Sequence, residues 1–189
     1  MIVVGPRDPV PDGYTLVNTT SRSPEAWSRG LSPFHLGPVP LYEGAAVATA
    51  TCVENAWQYA KVWAQHLGAD GRPTAEYYAW AAAGWSNPRA VRYPMGKGGT
   101  PPRFSWWAGE PLTYLEARRK VYVPAYTRAV ASSPAWARLL REYREGGRPL
   151  ALWDFDGQAG RAWRDVLADP AHPMGHAHVL AFLLENWPA

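Results

Sequence analysis

Val53-Glu54-Asn55-Ala56-Trp57-Gln58-Tyr59-Ala60-Lys61-Val62-Trp63-Ala64-Gln65-His66-Leu67 is the most strongly patterned stretch of the chain. Val53, Ala56, Trp57, Ala60, Trp63, Ala64 and Leu67 recur at spacings of three and four, the period of one helical face. The pattern predicts a helix over roughly 53–67, stopped by Gly68. Beside the apolar stripe runs a second one, Glu54, Gln58, Lys61 and Gln65. Two readings of it are open. It is a solvated edge with an ordinary acid-to-base arrangement, or it is the wall of a site. The second reading starts from Trp57, because a carboxylate at the lip of an aromatic pocket is partly desolvated.

Working outward, Thr74 is placed to cap a helix ending near Gly84. A helix over about 112–131 carries Leu112, Leu115, Val121, Tyr122, Ala125 and Val130, and Pro124 should kink or split it. Ser133-Pro134 opens another helix to Glu145, stopped by Gly146-Gly147. Pro149–Phe155 reads as a buried strand, followed by a short helix near 159–168 and a last one over 176–186. Residues 1–45 are rich in Pro, Gly and Ser, with β-prone pieces at Ile2–Val4 and Thr15–Thr20. The expected fold is α+β, helix-dominated, in one domain over 1–189. Segment 1–45 is expected as a loop-rich layer packed on the helical body.

Composition narrows the classes. The 189 residues suit one domain, and 47% hydrophobic content argues against disorder. No apolar run approaches the ~18–20 residues of a membrane span, so no membrane partner is expected. Met1–Pro6 lacks the basic-then-apolar order of a secretory signal. A single cysteine, Cys52, permits no internal disulfide and no cysteine-based zinc site, which points to the cytoplasm. His176-Ala177-His178 with His172 is a poor metal pattern, so neither metal nor cofactor is expected.

Beyond the Glu54 stripe, three features carry possible chemistry. Trp153-Asp154-Phe155-Asp156-Gly157 sits at the end of the expected buried strand, a common place for catalytic carboxylates and equally for an Asp-Gly turn. If the strand continued, alternation would put Asp154 and Asp156 on the same side. His176 opens the last helix. Residues 86–111 read as one long irregular connection carrying Arg89, Arg92, Lys97 and Arg103 among Tyr93, Phe104, Trp106 and Trp107. Basic and stacking side chains on a loop suit DNA. Arg118-Arg119-Lys120 is a second basic cluster, most simply a solvated helix face.

Leu31-Ser32-Pro33-Phe34, followed by Val53-Glu54-Asn55-Ala56-Trp57-Gln58-Tyr59-Ala60-Lys61, resembles the YbiA-like (NADAR) N-glycosidase superfamily. Trp153–Gly157 and Gly175–Leu184 resemble its closing segments. Ser21-Arg22, Tyr114–Arg118, Tyr122-Val123-Pro124-Ala125-Tyr126 and His176-Ala177 stand in the order found in a small phage and bacterial family. That family is similar to anti-phage DNA glycosylases that excise glucosylated hydroxymethylcytosine. The resemblance covers about residues 20–187. It implies cleavage of an N-glycosidic bond, on modified phage DNA, on ADP-ribosylated guanine or on a small nucleotide metabolite. A non-catalytic nucleic-acid binder is the other class still open. On the glycosidase reading Glu54, Asp154, Asp156, Lys61 and His176 are the catalytic candidates. Trp57, Gln58, Ser32, Phe34, Arg22, Tyr114, Arg118 and Trp153 would hold the substrate. Asn55 and Pro33 depart from the superfamily pattern, which has His and Asn there. No protein partner is implied. The Glu54 helix, the 153–157 strand end and the start of the last helix are expected to wall one pocket.

Overall fold

A computed structural model describes residues 1–188. The fold is α+β, rich in helix, with short strands. Contacts within the chain divide it into two compact units. The first comprises Met1–Leu36 together with the chain from Tyr126 onward, and the second Gly37–Ala125.

The first unit is built on a three-stranded parallel sheet of β1 (Ile2–Val4), β8 (Leu150–Trp153) and β2 (Thr15–Asn18), with β8 in the middle. Its register pairs Val3 and Val17 with Leu152. Leu150, Ala151 and Leu152 are buried, the continuous apolar run that a central parallel strand requires. The N-terminal β-prone pieces are therefore integral to the sheet. They flank β8 instead of lying over a helical body, because both edges of a buried strand must find backbone partners. Helices α1 (Ala26–Arg29), α6 (Pro134–Glu145), α7 (Trp163–Ala168) and α8 (His176–Asn186) complete this unit. Ser133 caps α6 by accepting from the Trp136 N–H, as its position before Pro134 predicts. The Tyr126 hydroxyl donates to the carbonyl of Leu31 at 2.6 Å.

The second unit holds a two-stranded ribbon, β3 (Val39–Pro40) with β4 (Thr49–Ala50), and a three-stranded antiparallel sheet. Here the sequence expectation needs correction. The helix over 53–67 is much shorter: α2 covers only Val53–Gln58. Lys61–Val62 then becomes strand β5, and Ala64–His66 a single 3₁₀ turn. The cause lies in β6 (Phe104–Trp107), which pairs Ser105 with Lys61 and Phe104 with Val62. The Trp106 N–H donates to the Ala60 carbonyl, and the Arg103 N–H to the Val62 carbonyl, each at 2.7 Å. Tertiary pairing thus overrides a helical apolar spacing. Ala64 and Gln65 end up exposed, off any buried stripe.

The same sheet corrects the reading of 86–111 as one loop. Phe104–Trp107 and β7 (Glu110–Leu112) form a hairpin across Ala108-Gly109. Both turn residues have positive φ, 51° and 84°, the conformation of a tight hairpin turn whose twist matches its strands. Trp106 is consequently buried in the core and no DNA-facing ring. Trp107 packs against Tyr42 and on the cluster of Leu112, Ala117 and Val121, where Trp57 also lies.

Helix α3 (Ala75–Trp85) begins after Thr74, whose side chain makes no capping hydrogen bond, and runs two residues past Ala83. The long helical stretch of the sequence is continuous but uneven. It comprises α4 (Tyr114–Ala117), a wider π turn (Arg118–Tyr122) and α5 (Val123–Ala131), within which the boundary between the units falls. Pro124 has no N–H to donate, and the widened turn ends two residues before it. Thr113 and Glu116 cap α4 reciprocally.

Candidate functional site

The first unit receives Arg22, Ser32, Phe34, Trp153, Asp154, Asp156 and His176. Strand β8 ends at Trp153, so Asp154 and Asp156 do not share a strand face. Instead the Asp156 N–H donates to Asp154 Oδ1 at 3.2 Å in a turn closed by Gly157. Asp154 Oδ2 meets His176 Nδ1 at 2.8 Å and accepts the Ala177 N–H at 3.1 Å. His176 Nε2 lies 2.8 Å from the Thr19 carbonyl. A ring nitrogen facing a carbonyl must carry hydrogen, so Nδ1 toward the carboxylate makes the pair imidazolium and carboxylate. Burial by itself would raise the Asp154 pKa. The charge and hydrogen bond of His176, with the two backbone N–H groups, outweigh it and hold the carboxyl well below the usual range. Both residues are buried, and all four polar atoms are used within the fold. Gly175 is required beside them, since a Cβ there would come within 2.7 Å of Asp154 Oδ2. The pair fastens the start of α8 to the end of β8.

Next along α8, His178 Nε2 accepts the Gln158 N–H at 3.2 Å. Burial pushes its pKa down to about 4 against the raising influence of Asp154, so the ring is neutral. Ser32 is buried and accepts the Phe34 N–H in a local turn. Arg22 is exposed and stacks over Phe155, whose ring lies edge-on to Trp153.

The second unit receives Glu54, Trp57, Gln58, Lys61, Arg89, Arg92, Lys97, Arg103, Trp106, Trp107, Tyr114 and Arg118. Despite the shortened helix, three of them form a relay. Glu54 and Gln58 lie one turn apart on α2 and are both buried. Gln58 Nε2 donates to Glu54 Oε1 at 2.9 Å. Lys61, first residue of β5, turns back and donates from Nζ to Gln58 Oε1 at 2.7 Å. The amide is thereby oriented, accepting from the amine and donating to the carboxylate. Lys61 Nζ also stands 4.9 Å from the centre of the Trp57 ring. Burial, with help from the Arg92 charge and against the pull of Glu54, lowers its pKa to about 8. A lysine in that state offers a free-amine fraction near neutral pH that ordinary lysine lacks.

Aromatic rings surround this relay. Trp57 contacts Tyr114 at 6.1 Å and Tyr122 at 5.4 Å between ring centres. Arg118 lies 4.6 Å over Tyr114. At 1% exposure, Arg118 is not part of a solvated basic face, whereas Arg119 and Lys120 are exposed. Tyr114 is 40% exposed, so this row of rings reaches the surface. Arg89, Lys97 and Arg103 are exposed and Arg92 half-buried, all outside regular structure. Tyr93, beneath the Arg92 guanidinium at 5.6 Å, is half exposed. Sequence reasoning missed Tyr122 as a site ring and Asn55 as more than a departure from a motif. Nothing local pointed to either, because each meets its partners from far along the chain.

Among the described residues, no group of three or more acidic, histidine or cysteine side chains is placed to hold a metal ion. No helix among them is long and apolar enough to cross a membrane. No protein-family description, curated protein or solved structure matches the chain.

Proposed function

We propose that the second unit carries an N-glycosidase site acting on a modified base in DNA, with glucosylated hydroxymethylcytosine of phage DNA as the leading substrate and anti-phage defence as the setting. One observation carries the reading: a buried carboxylate–amide–amine relay, Glu54–Gln58–Lys61, set against an aromatic face and ending in a lysine of lowered basicity. The order of short motifs similar to the YbiA-like superfamily supports the same chemistry, as do the exposed cations of the 87–103 segment.

Cleavage of an N-glycosidic bond builds positive charge on the sugar while the base departs. In the proposed mechanism the free amine of Lys61 adds to C1′ as the C1′–N bond breaks, and the bond's electron pair leaves with the base, which takes up a proton. Opening of the sugar ring converts the adduct to a Schiff base. Water then hydrolyses it, returning the amine and leaving an abasic sugar. The Glu54 carboxylate, held by Gln58, stabilises the cationic sugar. Trp57 and Tyr114 provide stacking surface that offsets the few kcal/mol needed to extrude a base. Asp154 and His176, each satisfied by the other, hold the fold and take no proton in this scheme.

Borohydride reduction during reaction with base-modified DNA traps the protein covalently on that DNA if the amine attacks. Cleavage with no trapped adduct would replace Lys61 by direct attack of water. Glu54→Gln should lower cleavage by at least about 100-fold in a folded protein, in the range for a positioned charged group. Full activity in that variant would remove Glu54 from the site.

A further inference from the structure

Helix α8 turns one face toward a cavity of about 190 Å³ that lies wholly within the first unit. His178, Ala181, Phe182 and Glu185 stand on that face, at spacings of three and four. Residues of β1 and of the 158–163 segment complete the lining. Trp163 stacks on Phe182, with ring centres 5.1 Å apart and planes 21° from parallel, so aromatic carbon forms part of the wall. His178 is 3% exposed, and its Nε2 accepts the Gln158 N–H at 3.2 Å. An accepting Nε2 carries no hydrogen, so the neutral ring holds its proton on Nδ1. No group among the described residues accepts from that N–H. A buried donor without an acceptor is costly, and the space this ring adjoins is the cavity. Arg161, also in the lining, spends Nη1 on Asp169 Oδ2 and Gln158 Oε1, each at 2.6 Å. Glu185 adds an exposed carboxylate. The lining side chains therefore offer no uncompensated cation.

We propose that this cavity is a binding site for a small uncharged heteroaromatic compound of the free-nucleobase class, which packs against Trp163 and Phe182 and accepts the His178 Nδ1–H on a ring nitrogen or carbonyl. Three properties select that class. Drug-sized ligands occupy cavities of roughly 300–1,000 Å³, so this smaller one holds one or two fused rings. The stacked pair favours a flat partner, and the free imidazole N–H requires an acceptor. Charge then separates the candidates. An aromatic carboxylate would accept the N–H but meet Glu185 with no free cation to offset it. A hydrocarbon ring would fill the space and leave His178 unsatisfied. A neutral purine or pyrimidine meets all three conditions. Binding there needs no catalysis by the relay, which belongs to the other unit.

Titration of the intact protein with adenine at neutral pH, followed through the nitrogen-15 resonances of its histidine rings, tests this directly. The His178 Nδ1 resonance should move saturably, while its Nε2 stays unprotonated. Benzoate, flat and accepting but anionic, should bind more weakly than adenine. Ala181→Leu places extra carbon in the cavity without touching the bond between His178 and Gln158, and should abolish the adenine response in a folded variant. If that variant does not fold, Phe182→Ala, at an exposed ring of the same wall, should weaken adenine by about threefold or more. A His178 resonance that stays still to the limit of adenine's solubility overturns the proposal. So does a response that persists unchanged in Ala181→Leu or Phe182→Ala, which would place the ligand elsewhere. Benzoate binding as tightly as adenine overturns the assignment to an uncharged ligand.

Discussion

Two buried polar arrangements in this chain differ in how they end. Asp154 and His176 pair with each other and with backbone groups of Thr19, Asp156 and Ala177, and the result is a fastener. Removing one partner leaves the other charged and buried, so Asp154→Asn should cost about 3–5 kcal/mol. Chemical denaturation of the variant measures this, and cleavage per folded molecule should stay near the parent value. The pH dependence has a definite sign. The folded-state pKa of Asp154 lies below its ordinary value, so its contribution is complete above the usual aspartate range near ~4 and drains away as pH falls below that. The Glu54–Gln58–Lys61 relay differs in ending on an amine whose protonation is poised. Attack requires the free amine, whose fraction grows as pH rises through about 8. Cleavage limited by that attack should therefore rise about tenfold per pH step below 8 and level off above it. A flat profile from pH 6 to 9 would contradict an amine nucleophile.

Elements of this fold were legible where one local cause decides them. Ser133-Pro134 and Gly146-Gly147 bracket α6 by capping chemistry alone, and the apolar Leu150–Leu152 run gives β8 by burial on both faces. Helix α2 was not legible to its end, because Lys61 and Val62 are claimed by β6 more than forty residues later, and no periodicity encodes a distant partner. The same hairpin hid Trp106 from a reading that saw only Pro and Gly around it. The Glu54–Gln58–Lys61 relay forms despite the shortened helix. The chain turns back after Gln58, and Lys61 meets it from a strand instead of from the next helical turn. Packing behind the relay is close. A Cβ on Gly84 of α3 would fall within 1.9–2.2 Å of the Tyr59 ring, which caps α2, and Tyr77 sets its hydroxyl 3.3 and 3.2 Å from the carbonyls of Tyr59 and Ala60. Gly84→Ala should therefore destabilise the protein by about 1–3 kcal/mol, the usual cost of overpacking, despite the gain in helix propensity. A melting temperature equal to or above the parent's would show that Tyr59 yields freely.

At the scale of the whole molecule, the chain carries a net charge of +3, and the cations of 89–103 stand on one surface segment of the second unit. Binding of DNA through phosphates should weaken steeply with salt. Lys97→Gln and Arg103→Gln should each reduce the salt slope by about one without changing base preference. Filter-binding or anisotropy titrations across a salt series measure that slope, and salt-independent binding would move the contact elsewhere. Resemblance by motif order singled out Glu54, Trp57, Gln58, Lys61 and Tyr114, while the structure adds the ring of Tyr122 against Trp57 and the hydrogen bonds of Asn55 to residues 87–91. Those additions were out of reach of the sequence because each joins residues far apart along the chain. The reading as a whole turns on whether the relay breaks a glycosidic bond. The most direct measurement is to incubate the protein with matched DNA substrates, unmodified and carrying glucosylated hydroxymethylcytosine, and to count abasic sites. Abasic sites on the modified DNA, lost in Glu54→Gln and accompanied by a borohydride-trapped adduct mapping to Lys61, are the expected result. Intact DNA in both cases, under conditions where the protein binds it, would contradict a glycosylase and leave a binding protein in its place.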